Sequence, residues 1–289
     1  NLVQTLEGTP AIIHGGPFAN IAHGCSSITS IKLARSLSDY VITEAGFGSD
    51  LGAEKFLDIV CPSASITPST IVLVVTVRAL KYNGNGSLEQ GICNIDAHLD
   101  HLKHYNVPIV VCVNKFDDDS SEDINYVFDY VRRLGYRCEL SDAYSKGGEG
   151  AIGLANAVIK ASEDENSFLP LVDDSMTIKE KLEKLCQVVY HSNNISYSED
   201  ALKSLRLIED LHLSHLPICV AKTQYSISDD AKKLGYPKDN ELHIRDFIIN
   251  RGAGFITVLS GKIYTMPGLP KNPNYEKIDL IDGEIKGLF

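Results

Sequence analysis

Ile71-Val-Leu-Val-Val-Thr-Val77 and Val107-Pro-Ile-Val-Val-Cys-Val113 are unbroken apolar runs rich in β-branched residues. Such runs read as parallel strands buried on both faces, because a strand with one wet face would alternate apolar and polar residues. Residues 88–105 lie between them and carry apolar positions at helical spacing. Two parallel strands joined by a helical crossover form a right-handed β-α-β unit. The fold class that follows is α/β, with a parallel sheet at its centre.

Outward from this unit, residues 28–37 place Ile28, Ile31, Leu33, Ala34 and Leu37 at helical spacing, with Ser26 or Ser27 as a cap. Tyr40-Val-Ile-Thr43 reads as a short strand that ends at a Gly-rich loop. Helices are expected over 121–134, 150–162 and 177–190, the last opened by the capping box Thr177-Ile-Lys-Glu180, and a strand over 137–140. Residues 191–289 change character, with short strands at 216–221, 247–249, 255–259 and 262–265 separated by Gly turns. Pro267, Pro270 and Pro273 impose an extended tail. Domain boundaries are expected near 92 and 190, giving units 1–92, 93–190 and 191–289.

Open α/β sheets bind ligands at the carboxyl ends of their strands. The loops at 44–52, 76–86 and 114–123 are expected at those ends, and they carry the reactive residues. The run His14-Gly-Gly-Pro-Phe-Ala-Asn-Ile-Ala-His-Gly-Cys-Ser-Ser-Ile-Thr-Ser30 packs His14, Asn20 and His23 among glycines. Glu44-Ala-Gly-Phe-Gly-Ser-Asp50 is a second such run. Glycine lets the backbone approach a ligand, although Gly-Gly-Pro is also an ordinary turn. His23 is either a proton-transfer group or a structurally satisfied histidine. Asp50 reads as a helix cap. Arg78 and Lys81 leave the 71–77 strand towards the site, and Arg78 is the better bidentate anion contact.

Val111-Cys-Val-Asn-Lys-Phe-Asp117 contains N-K-x-D, the guanine-reading pattern of GTPases. Four residues are weak evidence, and no G-x-x-x-x-G-K-[ST] phosphate loop occurs in the sequence. Ala143-Tyr-Ser-Lys-Gly-Gly-Glu-Gly150 follows a strand and opens a helix, a geometry that offers free N–H groups to an anion. It is also readable as a tight turn.

Composition restricts the function further. The chain has 289 residues, 44% hydrophobic and 22% charged, as in ordinary globular proteins. A net charge of −11 argues against a nucleic-acid partner, which needs clustered Lys and Arg. No apolar run approaches a membrane span. The 7 cysteines are scattered without C-x-x-C, which fits reduced thiols in a cytoplasmic or mitochondrial-matrix setting. No metal set is read: His98, His101 and His104 share one helix as a solvated face.

The two Gly-rich runs, with Thr76-Val-Arg-Ala-Leu-Lys81, Val113-Asn-Lys-Phe116, Lys146-Gly-Gly-Glu-Gly150, Thr223-Gln-Tyr-Ser226, Gly252-Ala-Gly-Phe255 and Thr265-Met-Pro-Gly-Leu-Pro-Lys271, resemble the formate–tetrahydrofolate ligase family over the whole chain. The family begins with a phosphate loop, so the chain resembles its C-terminal half, as in the synthetase part of eukaryotic C1-tetrahydrofolate synthase. The resemblance implies a P-loop-NTPase-like parallel-sheet core whose N-terminal part is missing, with a smaller C-terminal α+β domain. It implies ATP-dependent ligation of formate to tetrahydrofolate through formyl phosphate, in one-carbon metabolism. ATP would come with Mg²⁺, and a monovalent cation is a further expectation.

By the same resemblance Phe116 and Tyr144 wall the folate pocket, Tyr144 standing where the family usually has Trp; Phe116 alone also reads as a core residue. Ser145 and Lys146 fall beside the nucleotide. Gly46 and Gly48 would bring main-chain N–H groups to the acyl phosphate, and Phe47 would shield it from water. The implied partners are small-molecule substrates, the missing N-terminal half, a fused dehydrogenase and cyclohydrolase domain, and a second copy in a homodimer. Without a phosphate loop the 289 residues are expected to be inactive alone. A non-catalytic folate-binding or assembly module is the alternative, and a GTPase-like domain the third reading.

Overall fold

A computed structural model describes all residues except 6, 14, 16–18, 239, 262, 264–270, 282–283 and 288–289, and leaves out the side chains of 274, 275, 280, 284 and 285. The chain opens with a hairpin, β1 (Leu2–Gln4) and β2 (Pro10–Ile12). Helix α1 (Ile28–Leu37) has the expected bounds, and Ser27 caps it by accepting from Ser30 N–H. His14 and most of 265–271 lie outside the described residues, as does most of the strand expected at 262–265.

Residues 40–43 form no strand. Beside them an isolated bridge joins Cys25 and Ala45, and Ile42 points outward. The 44–52 loop therefore does not sit at a strand end. It leads into two wide helical turns, Ser49–Ala53 and Phe56–Val60, with π-type bonding, and then α2 (Cys61–Ala64). Such widened turns occur frequently at functional sites.

The expected β-α-β unit is present. Strand β3 (Ile71–Val75) gives way at once to α3 (Val77–Asn83), because the Thr76 hydroxyl accepts from Ala79 N–H and starts the helix. The crossover consists of α4 (Leu88–Gly91), α5 (Cys93–Leu102) and a 3₁₀ turn, Lys103–Tyr105. Strand β4 (Ile109–Asn114) follows, then α6 (Ser121–Arg133), β5 (Arg137–Ser141), the short α7 (Ala143–Lys146) and α8 (Ile152–Ala161). The three strands form one parallel sheet in the order β3-β4-β5.

β4 is buried on both faces as expected, but β3 is not. Its Leu73 and Val75 join the core with Val111, Val113, Val127 and Val131. On the other face Val72 is 37% exposed and Val74 58%. In register with Val74 stand Cys112 and Glu139, and a side chain on Gly153 of α8 would lie 3.2 Å from the Glu139 carboxylate. Helix α8 thus covers that face over β4 and β5 and leaves β3 bare.

Helix α9 (Ile178–Val188) carries the full Thr177–Glu180 capping box. The rest is richer in regular structure than its sequence suggests. β6 (Ser192–Tyr197) and α10 (Glu199–Asp210) precede β7 (Ile218–Ala221), the long β8 (Asn240–Asn250) and β9 (Phe255–Ser260). These strands make a mixed sheet in the order β6-β8-β9-β7, with β8 and β9 antiparallel. β10 (Asp279–Ile281) and β11 (Glu284–Lys286) pair as a second hairpin. One apolar cluster runs through both larger sheets, from Ile31 and Leu57 to Ile244 and Val258.

Candidate functional site

The carboxyl edge of the parallel sheet gathers five of the expected site residues. β3 delivers Arg78 in the first turn of α3, β4 delivers Phe116, and β5 delivers Tyr144, Ser145 and Lys146 on α7. The Arg78 guanidinium carbon stands 4.5 Å from the Phe116 ring centroid, and its Nη2 is 3.2 Å from each oxygen of Asp118. One face of Phe116 is thereby taken, while the ring remains 37% exposed. Asp119 fixes the loop by accepting from Phe116 N–H at 2.8 Å.

The loops after β4 and β5 are tied directly. The Ser145 hydroxyl donates to Asp117 at 3.0 Å, and Lys115 N–H donates to the Ser141 carbonyl at 3.0 Å. Asp142 draws Lys146 to 2.9 Å and Lys115 to 3.4 Å. The Lys146 hydrogen bond leads the causes that hold the Asp142 carboxyl below its usual range. Phe116 and the 80% exposed Tyr144 thus project from neighbouring strand ends. Asp117, the acid of the N-K-x-D pattern, already accepts from Ser145.

The Gly-Gly-Glu-Gly turn has its own occupant. Gly148 N–H donates to Glu7 of the first hairpin at 2.8 Å, and a side chain on Gly147, whose φ is +58°, would collide with that carboxylate. A carboxylate on the Gly148 N–H is the behaviour expected of an anion-binding turn.

A second cluster surrounds the 44–50 loop. Gly46 N–H donates to the Gly24 carbonyl at 3.2 Å, so this amide is engaged with the chain itself. Gly52 must lack a side chain because a Cβ there would stand 2.0 Å from the Gly46 carbonyl. Phe47 sits at φ +65°, an uncommon conformation for a residue with a bulky side chain, and is half exposed. His23 packs 4.9 Å from the Phe255 ring of β9, and its Nε2 has no hydrogen-bond partner among the described residues. Burial, then Lys55, lowers its pKa, so the imidazole is neutral near pH 7.

Two expectations are corrected beneath that loop. Asp50 caps nothing: its carboxylate lies 2.5 Å from Nζ of Lys222, which is fully buried at the end of β7. Burial pushes the Asp50 pKa up, but Lys222 and His98 outweigh it and leave it lowered. Asn20 brackets Lys222, donating to its carbonyl at 2.7 Å and accepting from its N–H at 3.1 Å. Nor are His98 and His101 on a solvated face. Both contact Ser49 Oγ through Nδ1, at 2.7 and 3.1 Å, and His101 is buried. Only His104 is exposed.

Known proteins match this sequence along its whole length. A profile of the formate–tetrahydrofolate ligase family fits residues 1–289. The chain is 49% identical over 300 aligned residues to a formate–tetrahydrofolate ligase of Petrotoga mobilis (strain DSM 10674 / SJ95), a match that takes in 100% of the chain. The chain belongs to the formate–tetrahydrofolate ligase family. It spans about half, 54%, of the length of that relative. Local sequence reading missed the contacts of the buried Ser49, Asp50, His101 and Lys222 and of the half-buried His98. A signal existed for the first two: polar residues recur through 49–58 at positions where a helix would otherwise bury apolar ones.

Proposed function

We propose that these residues form the folate side of a ligase that joins formate to N10 of tetrahydrofolate at the expense of ATP. The observation that carries this reading is the pairing of Phe116 and Tyr144 on adjacent strand-end loops tied by the Ser145–Asp117 hydrogen bond. A flat pterin stacks well on an aromatic face. Arg78 already covers one side of Phe116, so the pterin takes the open side, towards Tyr144. Arg78, neutralised by Asp118, then orients the ring rather than receiving substrate charge.

Phosphoryl transfer to formate gives formyl phosphate, whose carbon the N10 amine attacks. The charge that builds on the formyl oxygen calls for fixed donors, and that part is assigned to the backbone of the Phe47 turn. Ser145 and Lys146 lie where the nucleotide is expected, beside the anion-holding Gly147–Gly148 turn. The triphosphate grip is assigned to the part of the ligase that these residues do not cover, so the 289-residue chain binds folate without turnover. Magnesium would travel on the ATP phosphates. Among the described residues no group of three or more His, Cys, Asp or Glu side chains stands ready for a metal.

Calorimetry of the chain with tetrahydrofolate tests the reading. Binding that is lost in both Phe116→Ala and Tyr144→Ala supports it. No binding by the wild-type chain, or binding indifferent to both substitutions, refutes it.

A further inference from the structure

Five side chains form an unbroken line of hydrogen bonds from the 44–50 loop into the core. His98 Nδ1 meets Ser49 Oγ at 2.7 Å, and Ser49 Oγ meets His101 Nδ1 at 3.1 Å. His101 Nε2 meets the Tyr105 hydroxyl at 3.2 Å, and that hydroxyl donates to Asp58 Oδ2 at 2.7 Å. Asp58 Oδ1 accepts from Leu171 N–H at 2.6 Å.

The far end sets the direction of every bond. Because Tyr105 gives its proton to Asp58, its oxygen can only accept from His101, so His101 carries its proton on Nε2. His101 is neutral, since burial drives its pKa down to about 3. Its Nδ1 is then an acceptor and takes the Ser49 proton. The Ser49 oxygen in turn accepts from His98 Nδ1–H, which leaves His98 with a lone pair on Nε2. All four links point the same way, as proton transfer along a chain requires.

Both ends suit the task. The His98 ring edge lies 3.4 Å from where a side chain on Gly48 would stand, and the ring is only partly buried. At the inner end Asp58 neighbours Glu54, a fully buried carboxyl neither of whose oxygens has a hydrogen-bond partner among the described residues. Burial and the Asp58 charge raise the Glu54 pKa well above normal, and burial raises Asp58 to about 7. Glu54 is thus held neutral, and Asp58 is poised to take or give one proton near neutrality.

We propose that His98, Ser49, His101, Tyr105 and Asp58 are a proton relay that takes up the proton shed by the attacking amine beside the Gly48 loop. The proposal rests on the ligase reading above. The N10–H bond breaks, its electron pair stays on nitrogen, and the proton bonds to His98 Nε2. The Nδ1 proton of His98 passes to Ser49, the Ser49 proton to His101, the Nε2 proton to Tyr105 and the phenolic proton to Asp58. Reversal through His98 returns the proton to solvent after product leaves, with no change of oxidation state. His98 is the catalytic residue, and the other four act through it.

Nitrogen-15 NMR of the histidine rings in the wild-type chain, without substrate and at a pH above 7 where Asp58 is ionised, reads the chain of bonds directly. The expected result is His98 protonated on Nδ1 and His101 on Nε2. Any other tautomer at His101 overturns the relay. In the native ligase, Ser49→Ala should lower kcat by about tenfold or more and change the solvent deuterium isotope effect on kcat, with KM for folate little altered. Ser49→Thr, which keeps the hydroxyl, should restore both. An Ser49→Ala enzyme with normal kcat and isotope effect also overturns the relay, while its turnover leaves the ligase reading intact. Failure of the ligase reading shows differently, as absent turnover in the unsubstituted native ligase.

Discussion

The guanidinium of Arg78 lies 4.5 Å above the ring of Phe116 while the same group pairs with Asp118. The ion pair is largely exposed and contributes little by itself. The ring contact is worth about 0.5–1 kcal/mol at such a site. Lysine keeps the charge but loses the flat surface and the double contact with Asp118. Arg78→Lys should therefore weaken tetrahydrofolate binding a few-fold by calorimetry with the melting temperature nearly unchanged. Unaltered affinity would mean that Phe116 needs no brace.

Tyr144 offers a smaller ring than tryptophan to a stacked ligand. Tyr144→Trp should tighten folate binding by about 0.5–1 kcal/mol. The chain contains 0 Trp, so the substituted residue is also its sole indole fluorophore, and folate should quench it. An indole whose emission ignores folate would remove residue 144 from the pocket.

Lys222 is fully buried, and the Asp50 carboxylate lies 2.5 Å from its ammonium group. Asp50→Asn strands that ammonium group in the core and should cost about 3–5 kcal/mol in urea unfolding. Removing both charges, as Asp50→Asn with Lys222→Met, should recover much of the loss. A double variant no more stable than the single one would show that the pair is not the origin of the cost.

Asp58 and His101 should tilt stability against pH in opposite directions. The Asp58 pKa is raised in the fold, from an ordinary 3.8 to about 7, so the native state holds this proton more tightly. Its contribution is full below about pH 4 and is lost as pH rises towards 7. The His101 pKa is lowered from 6.5 to about 3, so its contribution is full above pH 6.5 and is lost as pH falls towards 3. Relative to wild type, Asp58→Asn should lose stability more steeply on acidification between pH 6.5 and 4. Parallel curves for the two proteins over that window would contradict the assignment.

Much of the scaffold could be read from spacing alone. The helices at Ile28–Leu37 and Ile178–Val188 and the strand Ile109–Asn114 follow from apolar periodicity and caps that local chemistry decides. Helix Glu199–Asp210 was equally legible, with Ser198 as cap and Ala201, Leu205 and Ile208 on one face, but the Gly-punctuated strands after it drew the whole region towards β. Residues 40–43 had strand composition and found no neighbouring strand. The 49–58 network was hidden for another reason. Spacing shows that His98 and His101 share a helix face, yet only tertiary contact decides whether that face meets Ser49 or water. The partner of Asp50 is Lys222, just past the end of β7, and no local pattern points across such a separation.

Val72 and Val74 have a practical meaning of their own. A strand that is dry on one side and greasy on the other invites a neighbouring molecule to lie against it. Concentrated stocks of the chain should turn turbid before they denature, and a single lysine at position 74 should keep them clear without disturbing the folded interior.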